Sequence, residues 1–137
     1  MSFRFIPFGE SKENLAICLK YHTIGIRRKT NIDKDEILYL TLKKNGVWYV
    51  CGKAKYLDET EDAPFENPER YYTYSVTDLV VCEPYGVSEV LRDNLGNYWG
   101  LIFQSPRVIE NSIVEGYIEQ NFIKTSNEKM LEMINGK

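Results

Sequence analysis

Imidazole is nearly absent from this chain: His22 is the one histidine among 137 residues. A zinc site of the common histidine-containing kind or a Ser–His or Cys–His nucleophile would have to be built on it. It closes an apolar helical stripe, where a satisfied core or rim side chain is the simpler reading. Cysteine is scarce and odd in number. Cys18, Cys51 and Cys82 are widely spaced and flanked by apolar residues, a pattern that gives neither a metal set nor a disulfide framework. They read as reduced, buried thiols of a cytoplasmic protein. No apolar run approaches the roughly 20 residues that span a bilayer, and residues 1–5 lack the apolar region of a secretory signal. There is no P-loop and no glycine-rich dinucleotide fingerprint. The carboxylates of residues 58–69 lack the alternation and closing glutamate of an EF-hand loop. The expectation is a non-enzymatic domain with no catalytic residues, no cofactor, no metal and no membrane partner.

Aromatic side chains are plentiful. Ten tyrosines, six phenylalanines and two tryptophans make 13% of the chain, more than one small core needs, so some rings are expected to face a ligand or partner. Charge is segregated. The net charge is −3, but residues 58–69 hold Asp58, Glu59, Glu61, Asp62, Glu66 and Glu69 with no basic residue. Outside that stretch seventeen Lys and Arg face fourteen Asp and Glu, a net of +3. Lys20, Arg27, Arg28, Lys29 and Lys34 form one basic group, and Lys43, Lys44, Lys53 and Lys55 another. Such groups either attract phosphates or are solvated strand and turn residues.

The pattern predicts a small α+β domain: a curled mixed sheet or open β-barrel of about six strands, flanked by helices. Residues 3–8 read as a strand. Ser11 can cap a helix whose Leu15, Cys18, Leu19 and His22 share one face. Residues 23–28 and 36–42 read as strands, and Asn45-Gly46 is a strong hairpin signal leading into a strand over 47–56, where Gly52 marks a bulge or close approach. The acidic stretch reads as a loop, 71–83 as a long strand, Pro84-Tyr85-Gly86 as a turn and 87–92 as a short helix. A strand is expected over 98–104, then a helical stripe of Ile113, Val114, Tyr117 and Ile118, and a last helix over 126–135 ending at Gly136.

The aromatic set of Trp48, Tyr49, Phe65, Tyr71, Tyr72 and Tyr74 surrounds the hairpin and the acidic loop. Neighbours on a strand point to opposite faces, so Tyr71 and Tyr72 cannot both face the core. Two or three rings around a gap would stack a flat ligand, and Asp62 could accept a hydrogen bond from an exocyclic amine. Cross-strand packing is the alternative for each ring.

Read in order, several segments resemble the EVE and YTH branch of the PUA-like superfamily. They are residues 11–18 (Ser-Lys-Glu-Asn-Leu-Ala-Ile-Cys), 21–26 (Tyr-His-Thr-Ile-Gly-Ile), 35–40 (Asp-Glu-Ile-Leu-Tyr-Leu), 50–54 (Val-Cys-Gly-Lys-Ala), Asp62-Ala63-Pro64, the strand over 71–81, and 102–109. The likeness covers about residues 3–122. The tryptophan the family carries near Ile24 is missing. The resemblance implies a domain over 1–122, with 123–137 a helical tail or the start of a linker. It also implies a pocket that takes a modified base, flipped from its strand, between aromatic rings. Ser11 and Asn14 would stand at the rim and Tyr21 or His22 near the missing tryptophan. Trp48, Tyr71 and Tyr72 would be the rings, and Asp62 the polar reader. Lys20, Arg27, Arg28, Lys29, Lys43, Lys44, Lys53 and Lys55 would meet phosphates. Modules of this kind also serve as specificity domains of McrB-type modification-dependent restriction enzymes, which implies modified DNA or RNA as partner and a downstream AAA+ motor.

Two other readings stand beside it. A protein-interaction or regulatory module would use the acidic loop and exposed aromatics, and deleting residues 58–69 would then spare oligonucleotide binding. An enzyme acting on RNA is the third.

Overall fold

Alternation in the strand sequences sets the architecture. The computed structural model describes residues 2–137; Met1, with which the expected domain begins, lies outside them. Strand β1 (Phe3–Pro7) runs parallel to β3 (Ile37–Lys44). Strand β3 turns through Asn45 and Gly46, both at positive φ as a tight hairpin requires, into antiparallel β4 (Val47–Glu59). Strand β5 (Tyr72–Gly86) pairs antiparallel with β4 and with β2 (Thr23–Ile26), giving one five-stranded mixed sheet in the order β1-β3-β4-β5-β2. The expected α+β class holds, with five strands where about six were expected.

Side chains of period two send apolar groups to both faces. One face, with Ile6, Leu38, Leu40 and Cys51, is covered by α1 (Lys12–Tyr21) and α5 (Asn127–Asn135) through Leu15, Cys18, Met130 and Ile134. The other, with Phe3, Phe5, Tyr39 and Val50, lies under α2 (Ser88–Leu95), α3 (Leu101–Gln104) and α4 (Ser112–Asn121). The cap read from sequence is present, Ser11 Oγ accepting from the Asn14 N–H at 3.2 Å, and Ser126 caps the last helix in the same way, its Oγ accepting from the Lys129 N–H at 3.2 Å. Cys18, Cys51 and Cys82 are free and buried, and burial pushes the Cys18 and Cys51 thiols up to about 12.

Three local readings are corrected. Residues 98–104 are not a strand: Trp99, Leu101 and Phe103 bond back to Gly96, Tyr98 and Gly100, winding the segment into turns and α3. Pro84-Tyr85-Gly86 is not a turn, because β5 runs on to Gly86. Pro84 is tolerated there because the register jumps from Gly52↔Val81 to Val50↔Tyr85, leaving residues 82–84 in a bulge without β4 partners. The bulge pairs instead with the segment after α4, through Glu83 N–H to Ile123 O at 2.8 Å and Thr125 N–H to Val81 O at 3.1 Å. Third, Asp58 and Glu59 belong to β4 rather than to the acidic loop. Gly52 does mark a close approach: a Cβ there would lie 2.7 Å from the Val80 carbonyl oxygen.

A buried Arg4–Glu36 pair fastens the mouth of the sheet. Arg4 Nε donates to Glu36 Oε2 at 2.8 Å, while its other nitrogens donate to the carbonyls of Pro106, at 3.1 Å, and Asn31, at 3.2 Å. Because the guanidinium spends its donors on two separate segments, the β2–β3 connection through Asn31 and Glu36 and the chain after α3 through Pro106, β1 holds the two in fixed relation. A desolvated ion pair is stabilising only when such extra hydrogen bonds satisfy it.

Candidate functional site

The outermost strands of the sheet, β1 and β2, both border a cavity of about 740 Å³. Pro7, Phe8 and Gly9 supply one side, Gly25, Ile26 and Arg27 the other. Ser11 and Asn14, from the N-terminal end of α1, lie along it with Phe65 and Tyr71 from the far end of the acidic loop. Trp48, Phe103, Gln104 and Pro106 complete the lining.

Aromatic walls come from two pairs. Phe65 and Tyr71 sit 5.4 Å apart at a tilt of 50°, and the Tyr71 ring rests on the backbone of Gly25, 3.0 Å from where a Cβ would be. Only glycine lets the ring come that close. Trp48 and Phe103 are stacked, with centroids 4.0 Å apart and planes 5° from parallel. Phe65 is 5% exposed despite its place in a charged loop. The acidic stretch is therefore part of the wall, and deleting residues 58–69 would open the cavity.

Polar groups are few and placed at the rim. Ser11 Oγ already accepts from the Asn14 N–H, which leaves its hydroxyl proton to donate. The Asn14 side-chain amide, partly buried, makes no hydrogen bond to another described residue, so a carbonyl and two N–H donors remain for a ligand. Gln104 adds a second amide, Glu10 a carboxylate and Arg27 a cation.

Of the rings and readers expected from sequence, Ser11, Asn14, Trp48 and Tyr71 line this cavity, and Tyr21, His22, Tyr72 and Asp62 do not. Tyr21 is 53% exposed at the end of α1 with Lys20 Nζ 5.2 Å from its ring. His22 does not share the inward face of α1; it is the exposed left-handed C-cap of that helix, at φ 54°. Tyr72, the first residue of β5, is exposed and faces oppositely to Tyr71, as strand alternation requires. Asp62 is exposed, its N–H bonded to Thr60 Oγ1.

The cations divide in the same way. Arg27 borders the cavity, Arg28 and Lys29 follow it exposed to solvent, and Lys43 Nζ lies 5.9 Å from the Trp48 ring. Three others are committed elsewhere. Lys44 donates to the last carbonyls of α5, at 2.8 Å to Ile134 O. Lys53 pairs with Glu119 at 3.1 Å, and Lys55 lies 3.8 Å from Asp78. Phe103 and Gln104 were not foreseen, because they reach the site from a segment whose apolar run resembled a strand.

An open aromatic cavity lined by amide and hydroxyl groups, with no histidine, cysteine or carboxylate cluster, suits holding a planar polar ligand. Among the described residues no group of His, Cys, Asp and Glu could hold a metal ion, and no helix is long and apolar enough to cross a membrane.

No protein-family model and no curated protein sequence matches the chain. Among solved structures, the fold is similar to that of the YTH domain of Pho92, solved in complex with m6A. The TM-score is 0.62 and the identity 14%, over 91% of this chain and 87% of that one. The fold is thus YTH-like, with the curled mixed sheet that the sequence pattern predicted.

Proposed function

We propose that this domain reads a modified base in nucleic acid by taking it, flipped out of its strand, into the cavity between β1 and β2. The observation that carries the reading is a slot walled by Tyr71, Phe65 and Trp48 with the unpaired amide of Asn14 at its rim, in a fold similar to a domain solved with m6A. The ring faces supply stacking, worth about 1–3 kcal/mol per base. The amide can pair with a base edge by donating and accepting at once. A methyl group on the base adds apolar area that the slot can bury, at roughly 25 cal/mol per Å². Arg27, Arg28, Lys29 and Lys43 are the cations left to meet the phosphates. Lys20 lies farther off beside Tyr21, and Lys44, Lys53 and Lys55 act within the fold.

In this reading the domain is a binding module without catalytic residues. It acts in the cytoplasm, where its three thiols stay reduced, as the DNA-specificity part of a modification-dependent restriction system whose AAA+ motor would be joined downstream. The order of motifs along the chain supports that setting, and RNA is the alternative polymer.

The test is titration of the domain with single-stranded and duplex oligonucleotides, DNA and RNA, carrying N6-methyladenine, 5-methylcytosine or the unmodified base. Tighter binding of one modified base by tenfold or more is expected. Equal, very weak binding across the series would remove the reading.

A further inference from the structure

A second groove shares a wall with the first. It has a volume of about 470 Å³ and, like the base cavity, is bordered by Trp48, Phe103 and Gln104. Its own side is built by Tyr98 and Trp99 on the turn before α3, with Lys43 across from them. Trp99 meets Phe103 edge to face at 6.4 Å and 90°, so the Trp48–Phe103 stack is continued by a third ring. Tyr98 is 79% exposed, the most exposed large ring in the chain, and it lies against no other aromatic side chain among the described residues.

The charge of this groove is opposite to that of the protein. The chain carries −3, yet no carboxylate lines the groove. Lys43 borders it, and the Arg92 guanidinium lies 6.0 Å from the Trp99 ring. Asn97 and Gln104 supply amides. A ligand that is anionic, planar and able to accept amide hydrogen bonds fits this surface, whereas a basic peptide does not.

We infer that this groove is a second nucleotide subsite, receiving the base that adjoins the modified one on the same strand, stacked against Tyr98 and Trp99, with the intervening phosphate near Lys43. The inference rests on the proposed reading of the first cavity and goes beyond it: the ligand is at least a dinucleotide step, and flanking sequence is felt through stacking. The shared wall makes the two positions neighbours, as consecutive nucleotides of one strand are.

The test compares N6-methyladenosine and 5-methylcytidine 5′-monophosphates with trinucleotides carrying the same base at the centre, and with trinucleotides whose flanking positions are abasic. For whichever base the domain binds, the full trinucleotide should bind at least about fivefold tighter than the abasic one, the lower end of what one base–aromatic stack contributes. Tyr98→Ala should erase that difference and leave mononucleotide affinity unchanged; its exposure makes misfolding a poor explanation. Trp99→Leu, with its fold checked by circular dichroism, should shrink the same difference. Mononucleotide binding with no gain from the flanking bases, or a gain that survives Tyr98→Ala, would overturn the second subsite and leave the first reading standing. Failure of mononucleotides and trinucleotides alike would overturn both.

Discussion

Tyr71 lies against Gly25 so closely that a methyl group at residue 25 would sit 3.0 Å from the Tyr71 ring. The ring that walls the cavity is therefore seated by the absence of a side chain on the neighbouring strand. Gly25→Ala should push the ring out of place and weaken binding of the modified oligonucleotide by about tenfold, while the thermal midpoint moves by only a few degrees. Loss of stability without loss of affinity would mean that Tyr71 is structural alone.

Asn14 offers a cleaner separation. Its backbone N–H is the group that Ser11 caps, whereas its side chain bonds to nothing described in the protein. Asn14→Ala should leave folding unchanged and cost binding about 0.5–1.5 kcal/mol, the worth of a typical hydrogen bond. Ser11→Ala should instead cost about 1 kcal/mol of stability through the lost cap. Calorimetric titration beside urea unfolding checks the pair.

Glu119 sets an acid sensitivity. Burial would raise its carboxyl, but the hydrogen bond from Tyr39 and the Lys53 ammonium outweigh that and hold it below its ordinary value of 4.5. A lowered folded value means the stabilisation is complete above about pH 4.5 and is lost as pH falls through the lower value. The Glu119→Gln variant should therefore be less stable than wild type at pH 7, and the gap should close on acidification. Denaturant midpoints from pH 7 to 3 report it.

The thiols should be silent in the native state. Burial raises all three, Cys18 and Cys51 to about 12, so thiolate is negligible at pH 8. A thiol reagent at that pH should label none of them in the folded protein and all three in denaturant. Fast native labelling would contradict the packing.

Met130 and Ile134 of α5 are 0% and 1% exposed within the cluster that also holds Leu15 and Leu38. Met130→Ala should cost about 2–5 kcal/mol, as deleting a buried side chain of that size does, and ending the chain at residue 122 should cost more. Equilibrium unfolding measures both.

Much of this was legible in the sequence where chemistry is local. Asn45-Gly46 names its own turn, and Ser11 and Ser126 name the helix starts they cap. The segment Tyr98-Trp99-Gly100-Leu101-Ile102-Phe103-Gln104 misleads because a short apolar run reads alike as strand or buried helix. Pro84 misleads because a proline reads as a break unless the partner strand is known to leave a bulge opposite it. The site was half legible. Ser11, Asn14, Trp48 and Tyr71 sit near one another in motifs, but strand parity decides between Tyr71 and Tyr72, and that parity depends on where β5 begins. Asp62 lies in a run of carboxylates without a basic residue, which already reads as solvated, whereas nothing local to Phe103 says that it stacks on Trp48.

The cavity lies where β1 and β2, at opposite ends of the sheet order, come to border the same space, and no backbone hydrogen bond joins those two strands among the described residues. An aperture of that kind can widen without breaking any rung of the ladder. What spans the two unlinked margins is a side chain, the Arg4 guanidinium reaching from β1 to the carbonyls of Asn31 and Pro106, so the rim of the cavity is tied by a fork where the ladder supplies no rung.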